Sequence, residues 1–137
     1  MGRRKSREAA MKLVFEMSIN KINCEEIIEN FKENSNTDMN EIDMEYVKRC
    51  VKGIETNSTL IDEKIEKYLI NWKIGRLSKI DLAILRICTY EIFYEADIPD
   101  KVSINEAVEL AKIYSDEKSA AFINGVVDKM VKSKQPV

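Results

Sequence analysis

A chain of 137 residues has the size of one ordinary domain, and an apolar share of 45% is enough to form a buried core. Its net charge of -2 hides an uneven distribution: residues 1–12 hold five cations and one anion, whereas residues 13–137 hold 17 cations and 23 anions. The sequence has no histidine and no glycine-rich phosphate loop, which argues against hydrolase triads, most zinc sites and nucleotide-binding loops. We therefore expect no enzymatic activity, no cofactor and no metal.

Membrane insertion and secretion are also disfavoured. The longest stretch without a charged residue is nine residues, Ser119 to Val127, which is far too short to span a membrane. No apolar run follows the basic N-terminal segment, as it would in a secretory signal. The three cysteines, Cys24, Cys50 and Cys88, lie far apart and fit reduced core thiols better than disulfides or a metal site. We expect a cytoplasmic protein.

Four cations precede the first apolar stripe of the chain: Arg3, Arg4, Lys5 and Arg7. The stripe recurs at helical spacing between Ala10 and Met17, which predicts a helix whose buried face leaves these cations available to solvent. A cationic end on an acidic body suggests one anionic partner, and arginine favours nucleic acid. A solvated, frayed terminus explains the charge equally well.

Three further helices are predicted in the first half of the chain. Apolar positions at helical spacing span Cys24 to Phe31, Val47 to Ile54 and Leu60 to Leu69. The polar stretch 33–38 predicts a loop, and the Asp43 carboxylate is suited to cap the third helix. A join at Trp72–Leu77 then separates the two halves.

The second half begins with the most apolar helix. Ser78 can cap a helix running to about Ala96, and eleven of the fifteen residues from Ile80 to Tyr94 are apolar. Such a helix should be buried on nearly all sides and should therefore lie at the centre of the fold. The turn at Asp97–Asp100 ends it.

Two more helices complete the predicted fold. Ser103 and Glu106 have the spacing of a capping box, in which hydroxyl and carboxylate each bind a free amide at a helix start. Ser115 or Asp116 can open the last helix, in which Gly125 is expected to permit close helix approach. Helical periodicity throughout thus predicts an all-α protein of about seven helices in two groups, with subdomains of about 1–72 and 73–137.

Two strings in the second half are more specific than any periodicity. They are Val102-Ser103-Ile104-Asn105-Glu106-Ala107, within the segment from Ile98 to Lys112, and Phe122-Ile123-Asn124-Gly125-Val126. Together with Ile84-Leu85-Arg86-Ile87, Tyr90-Glu91 and the arginine-rich start, they closely resemble the NusB family of bacterial transcription antitermination factors. The resemblance spans essentially the whole chain, is dense from Arg76 to Lys129 and is loose from about Asn20 to Tyr46.

This resemblance implies a NusB-like fold of two packed helical bundles and the role of a non-catalytic adaptor. Proteins of this family pair with NusE, a small-subunit ribosomal protein, and bind the single-stranded boxA segment of nascent ribosomal RNA. The complex helps RNA polymerase read through terminators. A purely protein–protein module, such as a homodimer whose helices hide the RNA surface, is an alternative. A free-standing relative of RNA methyltransferases is another, although the sequence has no nucleophile or cofactor motif for it.

Eight residues are candidate RNA contacts: Arg3, Arg4, Lys5, Arg7, Phe15, Tyr68, Lys118 and Phe122. The arginine and lysine side chains suit phosphates, and aromatic rings can stack on bases. The last four are positions onto which family RNA contacts map. Core packing is the ordinary alternative for Phe15 and Phe122, and a solvated helix start is the alternative for Lys118.

The candidate contacts to NusE are Arg76, Lys79 and Asp81. Asp81 matches an acidic family position that faces this partner, and the two cations flank it. A second role for Asp81 is equally open, because a carboxylate near a helix start is stabilised by the positive end of the helix dipole.

Overall fold

The computed structural model describes residues 3–34, 38–70 and 73–134, and in these ranges every regular element is a helix. Seven α-helices follow one another: α1 Arg3–Asn20, α2 Cys24–Asn34, α3 Met44–Thr56, α4 Ser58–Lys67, α5 Lys79–Tyr94, α6 Asp100–Tyr114 and α7 Glu117–Lys134. Short 3-10 turns at Met39–Glu41 and Ile74–Arg76 precede α3 and α5. The predicted all-α class is confirmed. None of these helices is long and apolar enough to cross a membrane.

Helix α5 occupies the centre of the described structure. It packs against α1, α3 and α4 and also against α6 and α7. Its side chains Ile84, Leu85 and Ile87 are buried, as expected for a helix that is apolar on nearly all sides. Both halves of the chain therefore use α5 as a common core, and the division near residue 72 stays a prediction.

Side-chain caps begin three of the helices where the sequence predicts them. The Asp43 carboxylate accepts a hydrogen bond from the Tyr46 amide at the start of α3. The Ser78 hydroxyl accepts one from the Asp81 amide at the start of α5, and Asp116 accepts one from the Ser119 amide at the start of α7. Each cap satisfies an amide that has no partner within its helix.

The predicted polar stretch 33–38 and the join at Trp72–Leu77 are described only in part. Helix α2 extends to Asn34, and residues 35–37 lie outside the described residues. Asn71 and Trp72 also lie outside them.

The predicted capping box is wrong. Helix α6 begins at Asp100, directly after Pro99, so Ser103 lies inside the helix and is buried. Proline tolerates this position because it has no amide hydrogen to leave unsatisfied. The Ser103 hydroxyl donates instead to Glu91 of α5 at 2.7 Å, which supplies a donor to a buried carboxylate.

The expectation for Gly125 is also wrong, and a different glycine has the predicted property. Gly125 is exposed, and a Cβ atom there would have no neighbouring atom within 4 Å. A Cβ atom at Gly53 of α3 would lie 2.4 Å from Cε1 of Tyr90. The close approach that requires glycine is therefore between α3 and the C-terminal part of α5.

Candidate nucleic-acid interface

The basic N-terminal residues form the start of α1. Arg3, Arg4 and Lys5 expose 37, 67 and 56% of their side chains, so all three can meet a ligand at the surface. Consecutive residues point about 100° apart around a helix, and these three cations therefore spread around the end of α1.

Each exposed cation has a carboxylate neighbour. Arg4 donates from Nε and Nη2 to the two oxygens of Glu106 at 3.0 and 2.7 Å, and Lys5 donates to Glu41 at 2.7 Å. The hydrogen bonds and charges of these partners raise the pKa of Arg4 and of Lys5. The hydrogen bond from Arg4 lowers the pKa of Glu106. These shifts favour the charged forms of Arg4, Lys5 and Glu106.

Arg3 makes a looser pair. Its Nη2 atom lies 3.7 Å from Oδ2 of Asp43, and its guanidinium lies 4.6 Å from the centroid of the Tyr46 ring. A guanidinium above an aromatic face is attracted by the ring quadrupole. Arg3 is therefore held against the start of α3 while keeping part of its surface open.

Arg7 does not lie outside the apolar face, contrary to the sequence-based expectation. It is 3% exposed, and its Nε and Nη2 atoms donate to Glu91 at 2.6 and 3.0 Å. Burial alone would lower the pKa of Arg7, but the hydrogen bonds and charge of Glu91 raise it above its ordinary value. Arg7 precedes Ala10 by three residues and Val14 by seven, which places it on the buried face of α1.

The Glu91 carboxylate also joins other helices to α1. It accepts hydrogen bonds from the hydroxyl groups of Tyr46 on α3 and Ser103 on α6. Glu106 of α6 lies 3.6 Å from Nη1 of Arg7. The first turns of α1 are thus fixed to three other helices, and this buried network sets the position of the exposed cations.

A pocket of about 350 Å³ lies where α5 and α7 begin. It is lined by Arg76, Leu77, Ser78, Asp81, Asp116, Lys118, Ser119 and Phe122. Two predicted partner contacts, Arg76 and Asp81, therefore share one cavity with two predicted RNA contacts, Lys118 and Phe122. Lys79 is exposed on the first turn of α5 and does not line the cavity. Phe122 both lines it and packs against the core, so its two predicted roles coexist.

Asp81 differs from the other residues of this pocket because its carboxylate is buried and only partly hydrogen-bonded. It is 8% exposed, and its Oδ2 atom accepts a hydrogen bond from the Ser119 hydroxyl at 2.9 Å. Its Oδ1 atom is buried and has no hydrogen-bond partner among the described residues. The N-terminal ends of α5 and α7 both face this region, and their partial positive charge favours Asp81 and would favour a phosphate.

Phe15 and Tyr68, the other two predicted aromatic RNA contacts, do not line the pocket. Phe15 is half-buried and packs against the core. Tyr68 follows α4 and donates to the Ser133 hydroxyl at 2.5 Å. Ser133 is eleven residues after Phe122 in α7, which corresponds to about 16 Å along a helix. The structure does not bring Tyr68 to the pocket.

One group of potential metal ligands occurs among the described residues. The ligand atoms of Cys24, Glu25 and Glu55 lie within 4.8 Å of one another. Glu55 accepts a hydrogen bond from the Cys24 amide at 2.9 Å, and burial raises the pKa of the Cys24 thiol to about 12. A cysteine binds a metal as the thiolate, a form that this environment disfavours, so we interpret this group as the hydrogen-bonded start of α2.

Sequence reasoning missed the carboxylates that pair with the α1 cations. For Glu91 a signal was available, because an anion within the apolar part of a helix requires a buried partner. Glu41 and Glu106 carry no comparable signal, since each is an exposed or half-buried acid in an acid-rich chain.

The fold, the exposed cations of α1 and the pocket define an all-helical domain with surfaces suited to binding, and comparisons identify its family. The NusB family model matches residues 4–132. Transcription antitermination protein NusB of Clostridium novyi (strain NT) is 59% identical, over 97% of this chain and 100% of the relative. The NusB of Clostridium botulinum (strain Kyoto / Type A2) is 55% identical, over 96% and 100%.

Solved structures give the same result. The structure of T. maritima NusB has a TM-score of 0.85 at 35% identity, covering 99% of this chain and 94% of that one. A structure of antitermination factors NusB and NusE in complex with dsRNA has a TM-score of 0.83 at 26% identity, covering 96% of both chains. The chain belongs to the NusB family.

Proposed function

We propose that this chain is a transcription antitermination factor of the cytoplasm. In this role it is an adaptor without catalytic activity that binds boxA-type single-stranded RNA together with a NusE-like ribosomal protein, within the antitermination complex of RNA polymerase. The names of its relatives support the first part. The complex of a structural neighbour with NusE and RNA supports the second.

The pocket at the start of α5 and α7 is the observation that carries this proposal. It places the cation Lys118 and the ring of Phe122 beside Arg76 and Asp81. A cation can hold a phosphate while a ring receives a base, which is the combination that single-stranded RNA requires. A partner bound through Arg76, Lys79 and Asp81 would then touch the RNA directly.

The exposed cations of α1 would extend this RNA surface. Arg7 marks their position, since its partner Glu91 lies ten residues after Asp81 on α5, a helical distance of about 15 Å. A single strand seated in the pocket could reach Arg3, Arg4 and Lys5 within a few nucleotides. Phe15 and Tyr68 stay proposed RNA contacts that lie outside the path from the pocket to the α1 cations. Arg7 does not contact RNA in this proposal but fixes the position of α1.

Binding of a labelled boxA RNA in the presence of purified NusE tests the proposal. The variants Arg4→Ala and Lys5→Ala should weaken binding, and each phosphate that is no longer neutralised should reduce the slope of log affinity against log salt by about 0.7. Lys32→Ala, at an exposed lysine of α2, is the matched control. Unchanged affinity and slope in both α1 variants would exclude this RNA face.

The pocket is tested separately. Phe122→Leu keeps an apolar side chain but removes the ring, and it should weaken boxA binding because base stacking contributes about 1–3 kcal/mol. Arg76→Glu and Lys79→Glu should reduce capture of NusE without RNA. Size measurement with and without RNA addresses the possible homodimer: a dimer that persists with boxA RNA and NusE present would favour that alternative.

A further inference from the structure

We propose that Glu41, Asp43 and Glu106 determine RNA selectivity, because they compete with RNA phosphates for the exposed cations of α1. This inference rests on the proposed RNA-binding function. It assigns a role to three acidic residues that have no part in the pocket.

The contacts already resemble those that a phosphate would make. Arg4 holds Glu106 through two parallel hydrogen bonds, the geometry in which a guanidinium also holds a phosphate. Lys5 holds Glu41 at 2.7 Å. A phosphate that takes up these same donors must therefore replace a carboxylate instead of water.

The competing carboxylates are held in place by their own elements. The Glu41 amide donates to the backbone oxygen of Asp38 at 2.9 Å in a 3-10 turn. Asp43 caps α3, and its amide donates to the Ser6 hydroxyl of α1 at 2.7 Å. Glu106 belongs to α6. Three separate elements thus present carboxylates to one cationic helix end.

Replacement of a carboxylate by a phosphate gains less than replacement of water, because an ion pair of the same kind is lost. RNA without a boxA sequence binds mainly through phosphates, so the competition reduces the main source of its affinity. A boxA strand also binds in the pocket, where no carboxylate of this set opposes it. The affinity that a boxA strand gains in the pocket remains whether or not Arg4 and Lys5 release their carboxylates. The competition therefore weakens non-specific binding more than specific binding.

Charge-neutral variants test this directly. Glu41→Gln is the main variant, since Glu41 contacts only Lys5 among the cations of the described residues, and Glu106→Gln is the second. Glu45→Gln is the matched control, because Glu45 is exposed near the start of the same helix that Asp43 caps and forms no ion pair with any described residue. Thermal unfolding confirms that each variant is folded.

Affinity is measured for boxA RNA with NusE and for a uridine homopolymer of the same length. Each pair removed should raise affinity for the homopolymer by up to about five-fold, which corresponds to an exposed ion pair of up to about 1 kcal/mol. The gain for boxA RNA should be smaller, and Glu45→Gln should show neither gain.

Two results would overturn the selectivity role. One is that Glu41→Gln and Glu106→Gln bind both RNAs with the same affinities as Glu45→Gln. The other is that their affinity rises by the same factor for boxA RNA and for the homopolymer. The Arg4→Ala and Lys5→Ala variants separate this failure from failure of the proposed function. If they weaken RNA binding while the glutamine variants change nothing, the RNA face stands and the competition does not. If they also change nothing, the RNA face itself is wrong.

Discussion

Helix α5 carries two buried carboxylates whose surroundings differ. Glu91 is 1% exposed and accepts hydrogen bonds from Arg7, Tyr46 and Ser103 at both of its oxygens. Asp81 is 8% exposed and accepts one side-chain hydrogen bond, from Ser119, while its second oxygen has no partner among the described residues.

We therefore assign a structural role to the Glu91 end of the helix and propose a functional role for the Asp81 end. A buried carboxylate with both oxygens hydrogen-bonded fixes neighbouring helices, and Glu91 does so for α1, α3 and α6. A buried acceptor without a partner reduces stability, and such groups persist mainly where function requires them. Asp81 lies beside the pocket that we assign to RNA and the protein partner.

The largest expected effect is at the Glu91 end. Arg7→Ala leaves the Glu91 charge buried without its cation, which should reduce the free energy of unfolding by about 3–5 kcal/mol. Urea denaturation measures it. Arg4→Ala is the control, because removal of an exposed, solvent-screened pair should change the free energy of unfolding little. Equal reductions for the two variants would mean that the buried pair contributes no more than a surface one.

Close packing at the same end predicts the next effect. Gly53→Ala places a methyl group 2.4 Å from the Tyr90 ring, so the ring or α3 must move. Overpacking of this kind should reduce the free energy of unfolding by about 1–3 kcal/mol. Gly125→Ala, in a helix position with open space, should instead leave stability unchanged or raise it by up to about 1 kcal/mol. The urea concentration at the midpoint of unfolding should therefore fall for Gly53→Ala and stay the same or rise for Gly125→Ala.

The smallest effect is expected at the Asp81 end. Asp81→Asn keeps an acceptor for Ser119 and loses a favourable charge near the start of α5, but it also removes a buried charge that is incompletely paired. These changes oppose each other, so the free energy of unfolding should change by less than about 1 kcal/mol. Glu91→Gln should reduce the free energy of unfolding by clearly more than Asp81→Asn changes it. If Asp81→Asn reduced the free energy of unfolding as much as Glu91→Gln does, the two carboxylates would contribute equally to stability and the proposed difference between the helix ends would be wrong.

Features that depend on neighbours in sequence were predictable. The central position of α5 follows from its apolar residues, and the caps at Asp43, Ser78 and Asp116 follow from side chains next to helix starts. A family string supplied Phe122, and the mapping of family RNA contacts supplied Lys118; the structure places both in one pocket.

Features that join distant residues were not predictable in the same way. Arg7 and Glu91 are 84 residues apart, and Arg4 and Glu106 are 102 apart. No local pattern pairs them, because many acids could neutralise a given cation. The Ser103-Glu106 spacing fitted a capping box, but packing gave each side chain a partner on another helix. Tertiary contacts decided these roles over local preference.

The buried thiols have a practical consequence. Cys24, Cys50 and Cys88 are all buried and unpaired, as the sequence predicted, and burial raises the pKa of each. A thiol reagent can therefore modify them only when the surrounding helices open. A cysteine introduced at an exposed position such as Ala121 could carry a fluorophore with the native thiols left in place, and their slow modification would time the opening of the fold.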